Sequence, residues 1–259
     1  MDEQTPRCEG QNNQHQYQVS CANCRLANLC LPIALEANDI DRLDSIIQRG
    51  RPLRKGELIY RQNEPFHAVY AVRSGAFKAF TSADDGSEQI TGFYFPGEIL
   101  GMDGIGDNRH ASSAKALETA AICEIPFDRL GELSAHIPNL QRHFLRLMSR
   151  EIAEDRQLIT LLSKSSAEQR IAALLLNISA RHTRRKLSAN AFRLPMSRTD
   201  IGNYLGLTVE TVSRIFSRFQ KAGLLAVDNK EIVILDPVLL REITDGCATA
   251  PAKAAIASR

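Results

Sequence analysis

The stretch LPMSRTDIGNYLGLTVETVSRIFSRFQKA, residues 194–222, contains two short helix patterns separated by Gly206. Ser197 can cap the first, with Asp200 three residues on as a weaker form of the Ser-x-x-Glu capping box. Ile201, Tyr204 and Leu205 face inward, Gly206 supplies a tight bend, and Thr208 can cap the second helix. Val212, Ile215, Phe216 and Phe219 form a buried stripe, which leaves Glu210, Thr211, Ser213 and Arg214 outward near the start and Ser217 and Arg218 further along. The pattern predicts a helix-turn-helix whose second helix, about Thr208 to Ala222, enters the major groove of double-stranded DNA. Arg214 can hold guanine O6 and N7 with two bonds, Glu210 can accept from cytosine N4, and Ser213 can bond a base or phosphate. A Glu on that face repels the phosphate backbone, so its presence favours direct base readout.

The neighbouring sequence supports the same reading. Residues 224–235 predict a hairpin turning at Asp228-Asn229, a wing beside the two helices. From Lys164 to Leu225 there are eleven Lys or Arg against three acids, within a chain of formal net charge +2, so the remainder is acidic. A basic module joined to an acidic partner domain is the charge signature of polyanion binding.

Upstream, Pro138 can sit in a first helical turn, and Gly and Pro are absent from Asn139 to Ser166, which predicts one long helix over 138–164. Leu145, Met148, Ile152, Asp155, Ile159 and Leu162 recur at alternating steps of three and four, the seam spacing of a coiled coil. A second stripe, Leu140, Phe144, Leu147, Leu158 and Leu161, can pack against the chain's own domains. Two buried faces on one helix imply a homodimer, and Asp155 argues against an ordinary core helix because a carboxylate on a core seam is expensive.

Nine of the fifteen glycines fall between Gly50 and Gly106, among short apolar runs such as 57–60, 68–72 and 76–80. This texture predicts an antiparallel β-roll or jelly roll. The fold class is therefore α+β: a disordered tail over 1–20, a cysteine-bearing segment and β-roll domain over 21–137, a dimerisation helix over 138–164, a winged helix-turn-helix over 165–245, and a second disordered tail over 246–259. No apolar stretch approaches the ~20 residues needed to cross a bilayer, and the polar start lacks a secretory core segment, so a cytoplasmic location is expected.

In a reducing compartment the six cysteines are not expected to form disulfides. Cys21, Cys24 and Cys30 give Cys-x2-Cys-x5-Cys, and Cys123 stands alone at the end of an expected strand, Ile122 to Pro126. Three clustered thiolates and one remote partner can bind a tetrahedral zinc or an iron–sulfur cube, and spacing does not choose between them. Cys8 and Cys247 lie in the expected tails and read as bystanders.

The runs CANCRLANLCLP, YAVRSGAFKAF, EQITGF, ALETAAICEIPF, LMSREI and DIGNYLGLTVETVSR resemble the oxygen-sensing fumarate and nitrate reduction regulators, the FNR group of the cyclic-AMP receptor superfamily, from about Ser20 to Leu235. The resemblance implies an oxygen-labile [4Fe-4S] cluster on Cys21, Cys24, Cys30 and Cys123, and a base-contacting set at Glu210, Ser213 and Arg214. Val209 replaces an Arg of the cyclic-AMP receptor, which favours a TTGAT-type inverted repeat. It further implies RNA polymerase as a partner, met through Asp84, Asp85 and Gly86, with Ser74 and Thr119 on a second surface. The nucleotide-binding form of the roll calls for Glu after the cassette Gly and Arg followed by Ser or Thr. Here Met102 follows Gly101 and His110 follows Arg109, so no cyclic nucleotide is expected.

On a two-fold seam Asp155 would face its own copy. Two carboxylates roughly 4 Å apart repel by up to about 4 kcal/mol at an effective dielectric near 20, so dimerisation is expected to be poised. An intact cluster would tip it toward the dimer that anaerobic promoters require, and cluster loss toward the monomer. The competing readings are a winged-helix regulator with a structural zinc and an iron–sulfur redox protein. Against the latter, no nucleotide-binding glycine loop or catalytic acid–base set is evident, and no enzymatic activity is expected.

Overall fold

The computed structural model describes residues 19–248, so most of the expected tails 1–20 and 246–259, with Cys8, lies outside the described residues. Two short 3-10 turns, Cys21–Asn23 and Leu31–Ala34, lead into helix α1 (Ala37–Ile46). Strands β1 (Leu58–Tyr60), β2 (Ala68–Ser74), β3 (Phe77–Ser82), β4 (Glu88–Tyr94), β5 (Ile99–Leu100), β6 (Ser113–Ala116) and β7 (Ala121–Pro126) follow. They form two antiparallel sheets, ordered β1-β6-β3-β4 and β5-β2-β7. Alternating inward residues fill the space between, with Tyr60, Val72, Phe77, Leu100, Ala114 and Ala116 in one buried cluster.

The turn between β2 and β3 depends on Gly75. Its φ is +72°, and a Cβ there would meet Ala120 Cβ and the Thr119 carbonyl at 2.6 Å each. That close approach seats the turn on the Thr119-Ala120 backbone. Cys123, expected at a strand end, lies within β7 opposite Ala71. The run Ile122 to Pro126 extends one residue upstream because Ala121 still pairs with Ser74.

Helix α2 (Phe127–His136) is followed by α3 (Pro138–Lys164), the long helix predicted, with Pro138 in its first turn and a length of about 40 Å. Leu140 and Phe144 are buried among Leu31, Leu43, Ile125 and Leu130, while Leu161 packs at the other end against the DNA-reading domain. The chain then turns through Ser165 and Ser166 into α4 (Ala167–Arg184), where Ser166 and Gln169 form a reciprocal capping box.

The last module comprises β8 (Ala191–Arg193), α5 (Arg198–Leu205), α6 (Val209–Lys221), β9 (Leu225–Asp228), β10 (Glu231–Ile234) and α7 (Pro237–Thr244). The wing is a three-stranded sheet ordered β8-β10-β9. Its turn falls one residue later than the sequence predicts. Asp228 stays in strand to pair with Glu231, and Asn229-Lys230 makes the bend, with Asn229 taking the left-handed φ of 54° that its short amide tolerates. At the far end, the expected tail starts too early: Cys247 and Ala248 donate their N–H groups to the Glu242 carbonyl and continue the close of α7.

One apolar cluster joins the two halves, with Phe80, Ile90, Phe93 and Phe95 of the roll packed with Ile171, Leu175, Ile201 and Leu205. None of the helices among the described residues is long and apolar enough to cross a membrane.

Candidate nucleic-acid interface and cysteine site

The two helices of the 194–222 stretch are set by their termini. Ser197 accepts from the Asp200 N–H at 3.0 Å while Asp200 accepts from the Ser197 N–H at 2.9 Å, a complete capping box rather than the weak one expected. Gly206 closes α5 with φ 64°, and Thr208 Oγ1 accepts from the Thr211 N–H to open α6. Arg198 lies over the Phe216 ring, 3.3 Å from its centroid, fastening α5 to α6. Burial there brings its guanidinium down to about 10.

Val212, Ile215, Phe216 and Phe219 are buried as predicted, and Glu210, Ser213 and Arg214 are exposed on one face of α6. Arg214 rests on Thr211 Oγ1 at 3.2 Å, an intrahelical contact that a base edge can replace. Arg218 pairs with Glu168 of α4, which holds it away from the reading end.

Cys21, Cys24, Cys30 and Cys123 line one small pocket, walled by Leu26, Leu31, Leu43, Ile47 and Ile125. The antiparallel bridge between Gln48 and Glu124 holds the segment after α1 against β7, beside Cys123. Two residues with no motif signature anchor Cys21. Asp44 Oδ1 accepts from the Cys21 N–H at 2.7 Å and from Arg49 Nη2 at 2.5 Å, and Arg49 Nη2 also donates to Cys21 Sγ at 3.5 Å.

Burial is the largest influence on the thiols: it pushes Cys30 up to about 12 and raises Cys21 and Cys123 as well. The sulfurs also perturb one another, Cys24 and Cys123 acting on Cys30, and Cys24 on Cys123. Among the described residues no three His, Cys, Asp or Glu side chains are gathered so as to hold a metal ion as they stand. Four thiols lining one apolar pocket with one guanidinium nonetheless match, in donor type, an anionic tetrathiolate-bound group.

On α3, Leu145, Ile152 and Ile159 are 54%, 53% and 66% exposed, an apolar stripe that the single chain leaves uncovered. Asp155 sits on this stripe, whereas Met148 and Leu162 are half-covered by their own chain. Partial burial, then the charge of Glu154, raises the Asp155 carboxyl. Asp155 also borders a cleft of about 310 Å³ between the roll, α3 and α4. Inside the cleft Tyr94 donates to Glu151 at 2.7 Å, and burial brings Glu151 up to about 7.

The roll's own interior carries a closed polar network. His110 is buried with its ring stacked 3.7 Å from Tyr60, and Asp103 accepts from the Ser112 N–H at 2.8 Å and hydroxyl at 2.7 Å. Arg109 turns outward to the Asn63 carbonyl at 2.7 Å, and Met102 packs toward the cluster containing Leu31. Asp84, Asp85 and Gly86 form the exposed turn between β3 and β4, and Ser74 and Thr119 are exposed together at the other edge.

Residues 50–136 match the cyclic nucleotide-binding domain family and residues 169–243 the Crp-like helix-turn-helix domain family. The chain is 55% identical over 229 residues to the transcriptional activator protein Anr of Pseudomonas protegens, covering 88% of this chain and 94% of that protein. It is 47% identical over 225 residues to the fumarate nitrate reduction regulatory protein of Klebsiella oxytoca, covering 87% and 90%. Among solved structures it is similar to FixK2 from Bradyrhizobium japonicum, with a TM-score of 0.71 and 30% identity over 76% of this chain and 97% of that one. The roll, long helix and winged helix-turn-helix, with identities this high over nearly whole chains, place the protein in the FNR/Anr family of DNA-binding transcriptional activators rather than among enzymes.

Proposed function

We propose that the chain is an oxygen-responsive regulator that, as a homodimer carrying a [4Fe-4S] cluster on Cys21, Cys24, Cys30 and Cys123, binds TTGAT-type inverted repeats when oxygen is low and activates or represses anaerobic-metabolism genes. The observation that carries this reading is that those four thiols line one apolar pocket although they come from sequence positions as distant as Cys21 and Cys123. When bound, the cluster supplies a centre that oxygen degrades. Joined at one centre, Cys21, Cys24 and Cys30 hold the N-terminal segment against Cys123 of β7. That segment packs on the start of α3, where Leu31 shares a core with Leu140 and Phe144. The order of the segment thus bears on how α3 presents its stripe.

Covering Leu145, Ile152 and Ile159 of both copies contributes at most roughly 9–18 kcal/mol, against about 4–15 kcal/mol of lost translational and rotational freedom and up to about 4 kcal/mol of repulsion between paired Asp155 carboxylates. The margin is small enough for local order near Leu140 to decide it. A dimer places two α6 helices on the two halves of an inverted repeat, and a monomer loses the second contact. Asp84, Asp85 and Gly86, and Ser74 with Thr119, are the exposed surfaces proposed for RNA polymerase. The Tyr60–His110 stack and the Asp103–Ser112 bonds occupy the roll's interior with the chain's own groups, which supports a sensor that takes no cyclic nucleotide.

Metal analysis of protein isolated without oxygen tests the cofactor. Four irons and four acid-labile sulfides per chain, in brown protein that bleaches in air, are expected. Colourless, air-stable protein holding one zinc overturns the cluster and leaves the structural-zinc regulator. Base reading has its own test: Arg214→Ala should cost about 1–3 kcal/mol on the cognate duplex and relax preference at one G·C pair, measured by titration of point-substituted duplexes. An equal loss on every duplex would make Arg214 a phosphate contact instead.

A further inference from the structure

Strand β4 is the outer strand of the four-stranded sheet, so one row of its backbone groups has no strand partner. Asn203 of α5 occupies that edge. Its Oδ1 accepts from the Ile90 N–H at 2.6 Å, its Nδ2 donates to the Glu88 carbonyl at 2.6 Å, and its own carbonyl accepts from Gln89 Nε2 at 2.9 Å. One carboxamide thereby reproduces the paired donor and acceptor of a neighbouring strand residue.

Lys78 of β3 lies beside it, 2.9 Å from Asp200 and 3.4 Å from Glu88, and Phe93 meets Tyr204 edge-on at 5.0 Å. From α4, Arg181 adds bonds to the Phe93 carbonyl at 2.7 Å and to Glu98 at 3.0 Å. The face of α6 that carries Glu210, Ser213 and Arg214 takes no part and stays exposed.

The covalent link between α3 and α4 is short and extended, with Ser165 at φ −97°, ψ 147° and Ser166 at φ −65°, ψ 163°. Two extended residues do not orient a domain; packing and side-chain bonds must. We propose that Asn203, flanked by the Lys78–Asp200 pair, latches the DNA-reading domain to the edge of the sensor sheet and so sets the separation of the two recognition helices in a dimer. Half-sites one helical turn apart place the reading helices about 34–36 Å from each other, so an orientation held at β4 selects repeat spacing. Asn203 thus acts as a positioning residue on α5, bonded to β4 and outside the α6 face that carries Glu210, Ser213 and Arg214.

The spacing argument rests on the dimer proposed above, and the latch itself does not, so two readouts separate them. In full-length Asn203→Ala, amide exchange at Ile90 should quicken by at least about tenfold, since its acceptor is gone. Lys78→Met, on the roll side, leaves the helix-turn-helix sequence intact and should loosen the same contact by a smaller factor. Protein isolated without oxygen is then titrated with a TTGAT inverted repeat at natural separation, one lengthened by two base pairs, and a single half-site. The native chain should favour the natural separation by at least about tenfold, and Asn203→Ala by no more than about threefold, with half-site affinity unchanged. Unchanged exchange at Ile90 in Asn203→Ala overturns the latch. Faster exchange with native spacing preference overturns its role in spacing. A native chain indifferent to spacing overturns the dimer reading, and the Ile90 exchange then still decides the latch.

Discussion

Protein carrying Cys123→Ala and isolated without oxygen should be monomeric and should bind an inverted-repeat duplex at least about a hundredfold more weakly than the native chain, a loss of the second half-site contact. The size follows from linkage: two half-sites on one duplex convert the second binding event into an intramolecular one, and that advantage vanishes with the dimer. Cys123 suits this test because it lies in β7, opposite Ala71, in a strand paired on both sides of that position. Its loss removes one thiol from the pocket and leaves the roll's ladder in place. Binding to a single half-site should be unaffected, since α6 and its caps are far from the pocket in sequence and share no hydrogen bond with it. Sedimentation and duplex titration on the same preparation check both halves. A Cys123→Ala protein that dimerises and binds as tightly as native would detach the thiols from DNA binding.

Asp155→Ala should have the opposite sign. The uncovered stripe of Leu145, Ile152 and Ile159 favours association, and Asp155 lies between Ile152 and Ile159 at the seam spacing. Removing both copies of the carboxylate relieves a repulsion of at most about 4 kcal/mol, up to roughly a thousandfold in the dimerisation constant. The variant should stay dimeric in air at concentrations where the native chain is monomeric, and should retain DNA binding there. An aerobic monomer by sedimentation sinks the idea that Asp155 poises the seam. The raised Asp155 carboxyl agrees with a site where charge is disfavoured even before a second copy arrives.

How much of this was legible in the sequence depended on whether a residue belonged to a period or to a partnership. The 3.6-residue spacing of Val212, Ile215, Phe216 and Phe219 leaves Glu210, Ser213 and Arg214 outside whatever the rest of the chain does. Pro138 and the Gly- and Pro-free run after it marked the start and helical character of α3, though that run continues past Lys164, and nine glycines among short apolar runs marked the roll. The wing turn was misplaced by one residue because Asp228 and Asn229 are both good turn formers, and only the pairing of Asp228 with Glu231 chooses Asn229-Lys230. Strand β8 was missed because three residues, Ala191-Phe-Arg193, carry too little alternation to stand out from a loop.

The thiol set came partly from spacing and partly from resemblance. The Asp44–Arg49 anchor beside Cys21 had no signal, since an Asp and an Arg five apart in a polar helix end read as surface charges. Asn203 was hidden for a related reason. It looks like a polar residue in a short amphipathic helix, and its partners Glu88 and Ile90 are more than a hundred positions away. The box around Ser166 and Gln169 was readable by the same rule that located Ser197, and marks where α4 begins.

In the proposed function, oxygen acts on DNA binding through four thiols and the α3 seam. Its most direct test is one anaerobic preparation of the native chain, exposed stepwise to air, with iron content, sedimentation and inverted-repeat binding read at each step. The account predicts that iron loss, conversion of dimer to monomer and loss of duplex affinity advance together, while single half-site affinity holds. Full loss of iron with dimer and duplex affinity intact would contradict it.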